Sequence, residues 1–429
     1  MLDISWIRAH AREVQRTAEV KGISLPVGEL LETDEARRLL LQQVEELRRQ
    51  RNIASEAIAG RLRGGRPGEA EELKQAVRVL NAQLAELESR LGEKERRVRE
   101  LMLLVPNPVS PETPIGQSDA DNQELRRVGE PACVDFALRD HVALGSLHQI
   151  LDIPRGVKVA GSRHYYLQGA GALLHRAVQQ LALDLLIARG YTPLEVPLMV
   201  RTESFVDTGY FPAGRDQAFR IDEEEQWLAG TSEVPLVAYY SGDIVDVSEP
   251  VRLAAASTCF RSEVGSAGKD VHGLYRVHQF AKVEQVILCE ADPGLSERML
   301  QEITRNAEDL LQLLELPYRV MAVCSGDMSA RTHKQYDIET WMPSRQAYGE
   351  THSASALLDF QARRAQIRYR DGDGRLRYCY TLNNTAVATP RILIPLLENH
   401  QQADGSIRIP EALRPYMGGK ELLTAPSPD

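Results

Sequence analysis

The stretch CFRSEVGSAGKDVHGLYRVHQFAKVEQ, residues 259–285, decides how the rest of the chain is interpreted. Two segments with regularly spaced apolar residues flank a glycine-rich run, GSAGKDVHG (265–273). This pattern predicts an antiparallel hairpin in which FRSEV (260–264) pairs with LYRVHQF (274–280).

Side chains alternate between the two faces of a strand, so Arg261 and Glu263 are predicted to share a face. On the return strand, one face carries Arg276, His278 and Phe280. Glu284 joins that face if the strand continues. Such a face is either a solvated surface with ion pairs or a binding surface for a charged ligand. Phe280 and a loop longer than a hairpin needs favour the binding surface.

The run GSAGKD suggests a phosphate-binding P-loop, but the residue types exclude it. The P-loop pattern requires glycine at position 263 and serine or threonine at position 270. This chain has Glu263 and Asp270 instead.

A second group of polar residues lies in YGETHSASALLDFQARR (348–364) and YTLNNTAVATPRILIPLLENHQ (380–401). Pro390 followed by an apolar run predicts a helix start. Arg391 would then lie at the positive end of a helix, which is unfavourable unless an anion or a flat electron-rich ring accompanies it.

The N-terminal part predicts a long helical hairpin. Apolar residues step by four and three from Leu73 to Val105, as in a coiled coil, with a looser stripe from Leu40 to Ile58. Gly64 and Gly65 are expected to end the first helix. So short a turn makes the two helices antiparallel, and one apolar seam makes them an arm rather than a domain core.

Composition narrows the class of protein. The chain has 429 residues, a formal charge of −10 and 43% hydrophobic residues, which is ordinary for a globular protein and excludes a generally basic nucleic-acid binder. Its five cysteines show no zinc spacing and predict reduced thiols. We expect neither a secretory signal nor a membrane span.

The motifs FRSE…RVHQFAKVE, DFQARR, TLNNTAVATPRILIPLLENHQ and IPEALRPYMGG together closely resemble those of the bacterial-type seryl-tRNA synthetases, a class II family. The N-terminal MLDISWIR and the arm resemble the family's tRNA-binding domain. The resemblance implies an α+β fold: the antiparallel class II sheet with flanking helices, plus an N-terminal antiparallel coiled-coil arm. It implies a tRNA-binding domain at 1–105 with its arm at 33–105, a linker at 106–123 and a catalytic domain at 124–429.

The resemblance also implies roles for single residues. Arg261, Glu350 and Arg391 are the expected catalytic residues, with Arg261 on the α-phosphate of ATP and the serine carboxylate. Phe280 and Arg391 would cover the two faces of adenine, and Glu350 with Ser353 would hold Mg²⁺. The full set expected to bind ATP is Arg261, Ser262, Glu263, Val277, Phe280, Glu350, Thr351, His352, Ser353 and Arg391.

The amino-acid pocket is expected to bind L-serine through its carboxylate, with Arg261, and through its hydroxyl, with Thr385 and Glu284 as buried partners. The residues implied for it are Thr231, Ser232, Glu233, Arg261, Glu284, Asn383 and Thr385. None of the nearby histidines is assigned as a general base.

Basic residues of the arm are expected to contact the long variable arm of serine tRNA, and the hairpin loop its acceptor end. These residues are Arg48, Arg49, Arg51, Arg61, Arg63, Arg66 and Lys269. The resemblance further implies a cytoplasmic homodimer that also serylates selenocysteine tRNA. Two alternatives remain open here: a paralogue that loads an amino acid onto a carrier protein, and a non-catalytic RNA-binding relative.

Overall fold

The computed structural model describes residues 2–221, 225–264 and 272–426, which form two compact units. Residues 2–19 and 23–105 form the first unit, and residues 20–22 with the described part of 106–429 form the second. In the described ranges, helices α1 to α12 span Ile4–Ala9, Ala11–Val20, Val27–Arg63, Pro67–Leu104, His141–Leu147, Ile153–Ala160, Ala170–Ala188, Thr202–Asp207, Glu233–Ala238, Pro293–Leu313, Phe360–Ala365 and Leu393–Asn399. Short 3₁₀ turns span Asp119–Asp121, Arg215–Gln217, Pro343–Arg345 and Glu411–Met417.

Helices α3 and α4 form the predicted antiparallel arm. The apolar stripe of each helix faces the other, with Leu40 and Val44 packed against Leu84 and Leu91. The turn between the helices contains the two predicted glycines, and Pro67 occupies the first turn of α4, where its missing N–H costs nothing. Helix α3 starts at Val27, earlier than the expected residue 33, because buried apolar residues continue the stripe upstream.

The second unit is built on an eight-stranded sheet. Its strands β1 to β8 span Gln123–Val128, Thr192–Pro193, Val251–Phe260, Gln279–Cys289, Tyr318–Ala322, Lys334–Met342, Ala347–Leu358 and Tyr380–Thr389. Their order is β1-β5-β6-β7-β8-β4-β3-β2, and every neighbouring pair is antiparallel except β2 and β3. Shorter strands outside this sheet span Leu151–Asp152, Tyr166–Leu167, Met199–Arg201, Arg220–Ile221, Gln226–Leu228, Arg368–Arg370, Leu376–Tyr378, Ile407–Arg408 and Leu422–Leu423. The expected α+β fold with an antiparallel sheet is confirmed.

Helices α7 and α10 cover one face of this sheet and enclose the largest apolar core. Both helices present apolar residues at helical spacing, such as Leu174, Val178 and Leu181 on α7. Helix α7 ends at Ala188 and Gly190 follows it with a φ of +84°, a conformation that glycine adopts without steric cost. On the opposite face, Val286 and Leu288 of β4 pack in a second apolar cluster with α9 and α11, and polar side chains occupy the part of that face next to it.

The hairpin of residues 259–285 is present, but its strands are shorter at the loop end than predicted. Strand β3 ends at Phe260, which pairs with Gln279 at the start of β4. Residues 261–264 and 272–278 are therefore irregular, and Glu263 has a φ of +52°. Strict alternation does not hold for them, so the predicted strand at 260–264 was wrong beyond Phe260, although Arg261 and Glu263 both line the pocket described below.

We predict that the α10 core contributes strongly to stability. Leu300 is fully buried, whereas Leu313 on the same helix is 40% exposed. Leu300→Ala should lower the free energy of unfolding by about 2–5 kcal/mol because it removes buried methyl groups and leaves a cavity. Leu313→Ala should change it by less than about 0.5 kcal/mol. Urea denaturation measures both, and equal losses in the two variants would contradict the packing described for α10.

Candidate active site

A pocket opens on the polar face of the sheet, above the central strands β4, β7 and β8. It lies wholly within the second unit and is called the central pocket below. Its lining consists of Tyr210, Glu233, Arg261, Glu263, Leu274, Tyr275, Arg276, Val277, Phe280, Lys282, Glu284, Arg331, Glu350, Thr351, His352, Ser353, Ser355, Asn383, Thr385, Ala388, Thr389, Pro390 and Arg391.

Strand β4 supplies the floor of the central pocket through simple alternation. Phe280, Lys282 and Glu284 are two residues apart and all line the pocket, while Val283 and Ile287 point into the core beneath. Phe280 and Glu284 were expected at the site. Lys282 was missed, although the same period of two identifies it.

The three side chains expected to enclose a nucleotide do share this pocket. The guanidinium carbon of Arg261 lies 5.3 Å from the centroid of the Phe280 ring. Arg391 lies above Tyr275, with its guanidinium carbon 4.5 Å from that ring centroid. Its Nε and Nη1 donate to the carbonyl oxygens of Tyr275 and Glu350, at 3.0 and 3.1 Å. Tyr275 was not predicted to line the site, although the sequence shows this aromatic residue just after the glycine-rich run 265–273.

Residues after strand β3 turn in different directions. Glu263 lines the pocket and pairs with Arg276, whose Nη1 lies 3.2 Å from the carboxylate. Val277 also lines the pocket, with its side chain buried. Ser262 is not part of the lining among the described residues, and its hydroxyl donates to the Asp216 carbonyl. Only the backbone of Ser262 is therefore a candidate for ATP contact.

A β-bulge brings Glu350 and Ser353 together. These residues are three apart, so regular alternation would place them on opposite faces of β7. The register shifts between Ile338 and Glu339 on the neighbouring strand, which leaves Thr351 as the extra residue. Glu350 and Ser353 therefore both line the pocket.

The side chains of Thr351 and His352, which lie between Glu350 and Ser353, are packed inward. The hydroxyls of Thr351 and Thr340 lie 2.7 Å apart, and the Nδ1 of His352 lies 2.8 Å from the Thr351 hydroxyl. Burial, with a smaller contribution from the charge of Arg391, lowers the pKa of His352 to about 3. His352 is therefore neutral at physiological pH and only weakly basic. That none of the histidines acts as a general base stays a prediction.

The donor set around the bulge fits a magnesium ion. Mg²⁺ prefers oxygen ligands and needs few from the protein when phosphate oxygens and water complete its shell. Glu350 supplies an exposed carboxylate and Ser353 a hydroxyl. Beside them, burial and the Glu350 charge raise the pKa of Asp337 to about 8, as expected where carboxylates gather. Among the described residues no group of three or more His, Cys, Asp or Glu side chains forms a complete metal cage.

Three of the residues expected to bind serine, Glu284, Asn383 and Thr385, line the central pocket, whereas Thr231 is buried beside Glu284 and is not part of the described lining. Glu284 on β4 is directly opposite Thr385 on β8, and Asn383 lies two residues away on the same strand. The Thr231 hydroxyl lies 3.5 Å from the Glu284 carboxylate. Ser232 is buried instead against the hydroxyl of Ser257, so its side chain is occupied by the protein.

Glu233 is held by a network that the sequence did not reveal. Its carboxylate accepts hydrogen bonds from Tyr210 at 2.6 Å, from Gln361 at 2.7 Å, and from Arg331. Burial raises the pKa of Glu233, but Arg331 and the hydrogen-bond donors outweigh burial and hold it below its ordinary value. The guanidinium of Arg331 also lies 3.9 Å from the centroid of the Tyr210 ring.

The arginines proposed for tRNA binding lie on the arm in two groups. Arg48 pairs with Glu88 at 2.7 Å, Arg49 pairs with Glu46, and Arg61 and Arg66 both face Glu69. Arg51 and Arg63 donate to the uncharged oxygens of Asn52 and Ala59. Lys269 lies outside the described residues.

Comparisons with known proteins agree with this geometry. Residues 218–400 match the tRNA synthetase class II core domain (G, H, P, S and T), and residues 1–109 match the seryl-tRNA synthetase N-terminal domain. A serine–tRNA ligase of Deinococcus radiodurans is 46% identical over 427 residues, which cover 99% of this chain and all of that protein.

Solved structures extend the similarity to three dimensions. The seryl-tRNA synthetase of Pyrococcus horikoshii complexed with ATP superimposes with a TM-score of 0.90 at 35% identity, covering all of both chains. The cytoplasmic serine–tRNA ligase of Naegleria fowleri in complex with AMP superimposes with a TM-score of 0.84 at 28% identity. The superposition covers 97% of this chain and 96% of that one.

We predict that Arg331 stabilises the fold through Glu233. Arg331→Met leaves a buried carboxylate without its cation. It should lower the free energy of unfolding by about 3–5 kcal/mol at pH 7. Because the folded-state pKa of Glu233 is lowered, this contribution is present above the ordinary glutamate pKa of about 4.3 and is lost as the pH falls through the folded value. The difference between variant and parent should therefore shrink on acidification.

Urea denaturation between pH 3.5 and pH 7 measures this difference. The matched control is Arg408→Met, which breaks an exposed ion pair with Glu315 of 2.7 Å. Arg408→Met should lower the free energy of unfolding by less than about 1 kcal/mol, because solvent screens the ion pair. A loss in Arg331→Met no larger than in this control would refute the role given to Arg331.

Proposed function

The chain belongs to the seryl-tRNA synthetase family and is a serine–tRNA ligase of class II, and on that premise we propose that the central pocket is where ATP and L-serine react. The enzyme activates serine with ATP and transfers the seryl group to tRNA. The observation that carries the proposal is the convergence of Arg261, Phe280, Glu284, Glu350 and Arg391 on one pocket.

In the first step the serine carboxylate attacks the α-phosphorus of ATP and pyrophosphate leaves. No protein nucleophile is required, so catalysis consists of positioning the reactants and balancing the negative charge on phosphate. We assign charge balance to Arg261 and Arg391. Phe280 and the guanidinium of Arg391 would cover the two faces of the adenine ring.

Glu350 and Ser353 would hold Mg²⁺, which neutralises phosphate charge when bound. The expected contacts of Glu263, Val277, Thr351 and His352 with ATP belong to the same proposal. For Thr351 and His352 the packing described above favours backbone contacts, because their side chains bond to each other and to Thr340.

The proposed serine-binding group consists of Glu284, Thr231, Asn383 and Thr385. A carboxylate suits the serine ammonium, and side chains that form hydrogen bonds suit its hydroxyl. A pocket with buried hydrogen-bond partners rejects an analogue that lacks the hydroxyl by about 10⁴–10⁵, because those partners are then left unpaired. Glu233 would support this group through its backbone N–H, which donates to the Thr231 hydroxyl, since its own carboxylate is already bonded.

In the second step the seryl group moves from AMP to the 3′-terminal hydroxyl of serine tRNA. We propose that the arm contacts the long variable arm of that tRNA through phosphates, and that Lys269 contacts its acceptor end. We further propose that the enzyme acts as a homodimer in the cytoplasm, with residues 172–200 and Pro197 at the interface, and that it also serylates selenocysteine tRNA. No helix in the described ranges is long and apolar enough to cross a membrane.

The first test is serine-dependent exchange of pyrophosphate into ATP, followed by charging of purified serine tRNA. The parent enzyme should support both with serine and neither with alanine. Arg261→Met should lower the exchange rate by about 10²–10³, the cost of removing one preorganised electrostatic contact. The control, Arg252→Met, removes an arginine of the same hairpin that pairs with Glu302 outside the pocket, and exchange should persist. Full exchange by Arg261→Met would refute the assignment.

The second test concerns the arm. Replacing residues 35–100 by a short Gly–Ser linker should leave exchange intact and abolish charging, because the pocket lies in the second unit and the arm in the first. The double variant Arg51→Ala/Arg63→Ala should weaken tRNA binding. The slope of the logarithm of the binding constant against the logarithm of salt concentration should become shallower by about one to two. Arg97→Ala, which breaks the pair with Glu29, is the control. Full charging by the deleted form would overturn the arm's role.

A further inference from the structure

A lysine occupies the floor of the central pocket between the proposed adenine and serine sites. Lys282 follows Phe280 and precedes Glu284 on the same face of β4, and only 5% of it is exposed. Fully buried lysines are rare and need a partner for their charge. None of the steps proposed above gives Lys282 a role.

The ammonium of Lys282 bonds to the two groups assigned to serine recognition. Its Nζ lies 2.5 Å from Oε2 of Glu284 and donates to the Thr231 hydroxyl at 2.6 Å. The Thr231 hydroxyl also accepts the Glu233 N–H at 3.2 Å, so both lone pairs of its oxygen are engaged. Its own proton is therefore left to point towards Glu284, which lies 3.5 Å away.

We propose that Lys282 is a positioning residue for amino-acid recognition, which holds the Glu284 carboxylate ionised and the Thr231 hydroxyl oriented so that they can bind the ammonium of the substrate. This inference rests on the function proposed above and deepens it.

The charges around Glu284 explain why such a residue is needed. Burial raises the pKa of Glu284, and Lys282 opposes that rise. Glu233 on α9 raises the pKa further, and Arg331, before β6, lowers it. The thiol of Cys259 on β3 also faces this group, but burial raises its own pKa and keeps it neutral. Arg331 is bound to Glu233, so among the described residues Lys282 is the cation in direct contact with Glu284.

Removing the Lys282 charge therefore has a defined direction. Without the ammonium the pKa of Glu284 rises further, and the group is protonated over a wider range of pH. A protonated Glu284 no longer attracts the serine ammonium. The loss of kcat/KM for serine on acidification should then begin at higher pH, because that limb reports the free enzyme.

The experiment measures kcat/KM for serine in pyrophosphate exchange from pH 5.5 to pH 9 with the full-length enzyme. For Lys282→Met the acid limb should move up by about one pH unit or more, and at pH 7 the KM for serine should rise by about tenfold or more. The KM for ATP should change by less than about threefold, since Lys282 acts through Glu284. Lys282→Arg keeps the charge and should keep the parental acid limb.

Two further variants make the result decisive. Lys282→Gln retains a hydrogen-bond donor for Thr231 without the charge, and it replaces Lys282→Met if that variant does not fold. Lys334→Met is the matched control: Lys334 on β6 is 7% exposed and pairs with Glu297 at 3.0 Å, outside the central pocket. It should lower the melting temperature and leave the acid limb unmoved.

The outcomes separate the two proposals. Absence of serine-dependent exchange in the parent enzyme would defeat the proposed function itself. Exchange by the parent together with a parental acid limb in the neutral Lys282 variants would defeat this inference alone, leaving Lys282 a structural residue. A limb that moves in the neutral variants but not in Lys282→Arg or Lys334→Met supports it.

Discussion

The site depends on one constraint: the central strands must present an apolar face to the helices and a charged face to the substrate. Strand β4 meets it by alternation, with Val283 and Ile287 in the core and Lys282 and Glu284 in the pocket. A carboxylate in such a position loses the solvation of water and is stable as an ion only with a partner. Every buried charge in the pocket therefore needs a compensating group close by, on the same strand as for Glu284 or on another element as for Glu233.

The two buried carboxylates are compensated differently, and this separates their roles. Glu233 accepts three hydrogen bonds, one from the cation Arg331, and its pKa is held low. Glu284 is held by Lys282 and approached by Thr231, and its pKa stays raised. A fully bonded carboxylate is a structural support, whereas one with spare capacity can accept a new ammonium. The distribution of donors thus supports the proposed role of Glu284 in binding substrate and favours a scaffold role for Glu233.

Much of this was predictable from the sequence, and the exceptions have physical causes. The arm followed from its heptad seam, and the hairpin from its alternation, because both are local patterns. The placement of Glu350 and Ser353 in one pocket needed a bulge that depends on the register of two strands. Arg331 meets Glu233 across 98 residues of chain, so no local pattern reveals the contact. Lys282 was visible in the alternation but was overlooked, because a lysine in a strand is more often solvated.

The arginines of the pocket show why residue type alone does not assign a role. A guanidinium has five N–H donors, and an anion can be bound only by donors that the protein has not used. Arg331 directs its donors to Glu233 and Tyr210. In the described part of the chain, the Arg261 side chain donates to one carbonyl, that of Gly230 at 3.3 Å, and Arg391 donates to two. Arg331 uses no more donors than Arg391, but one of its acceptors is the carboxylate of Glu233, which neutralises its charge. Arg261 and Arg391 donate to neutral carbonyl oxygens and keep donors for phosphate and carboxylate oxygens.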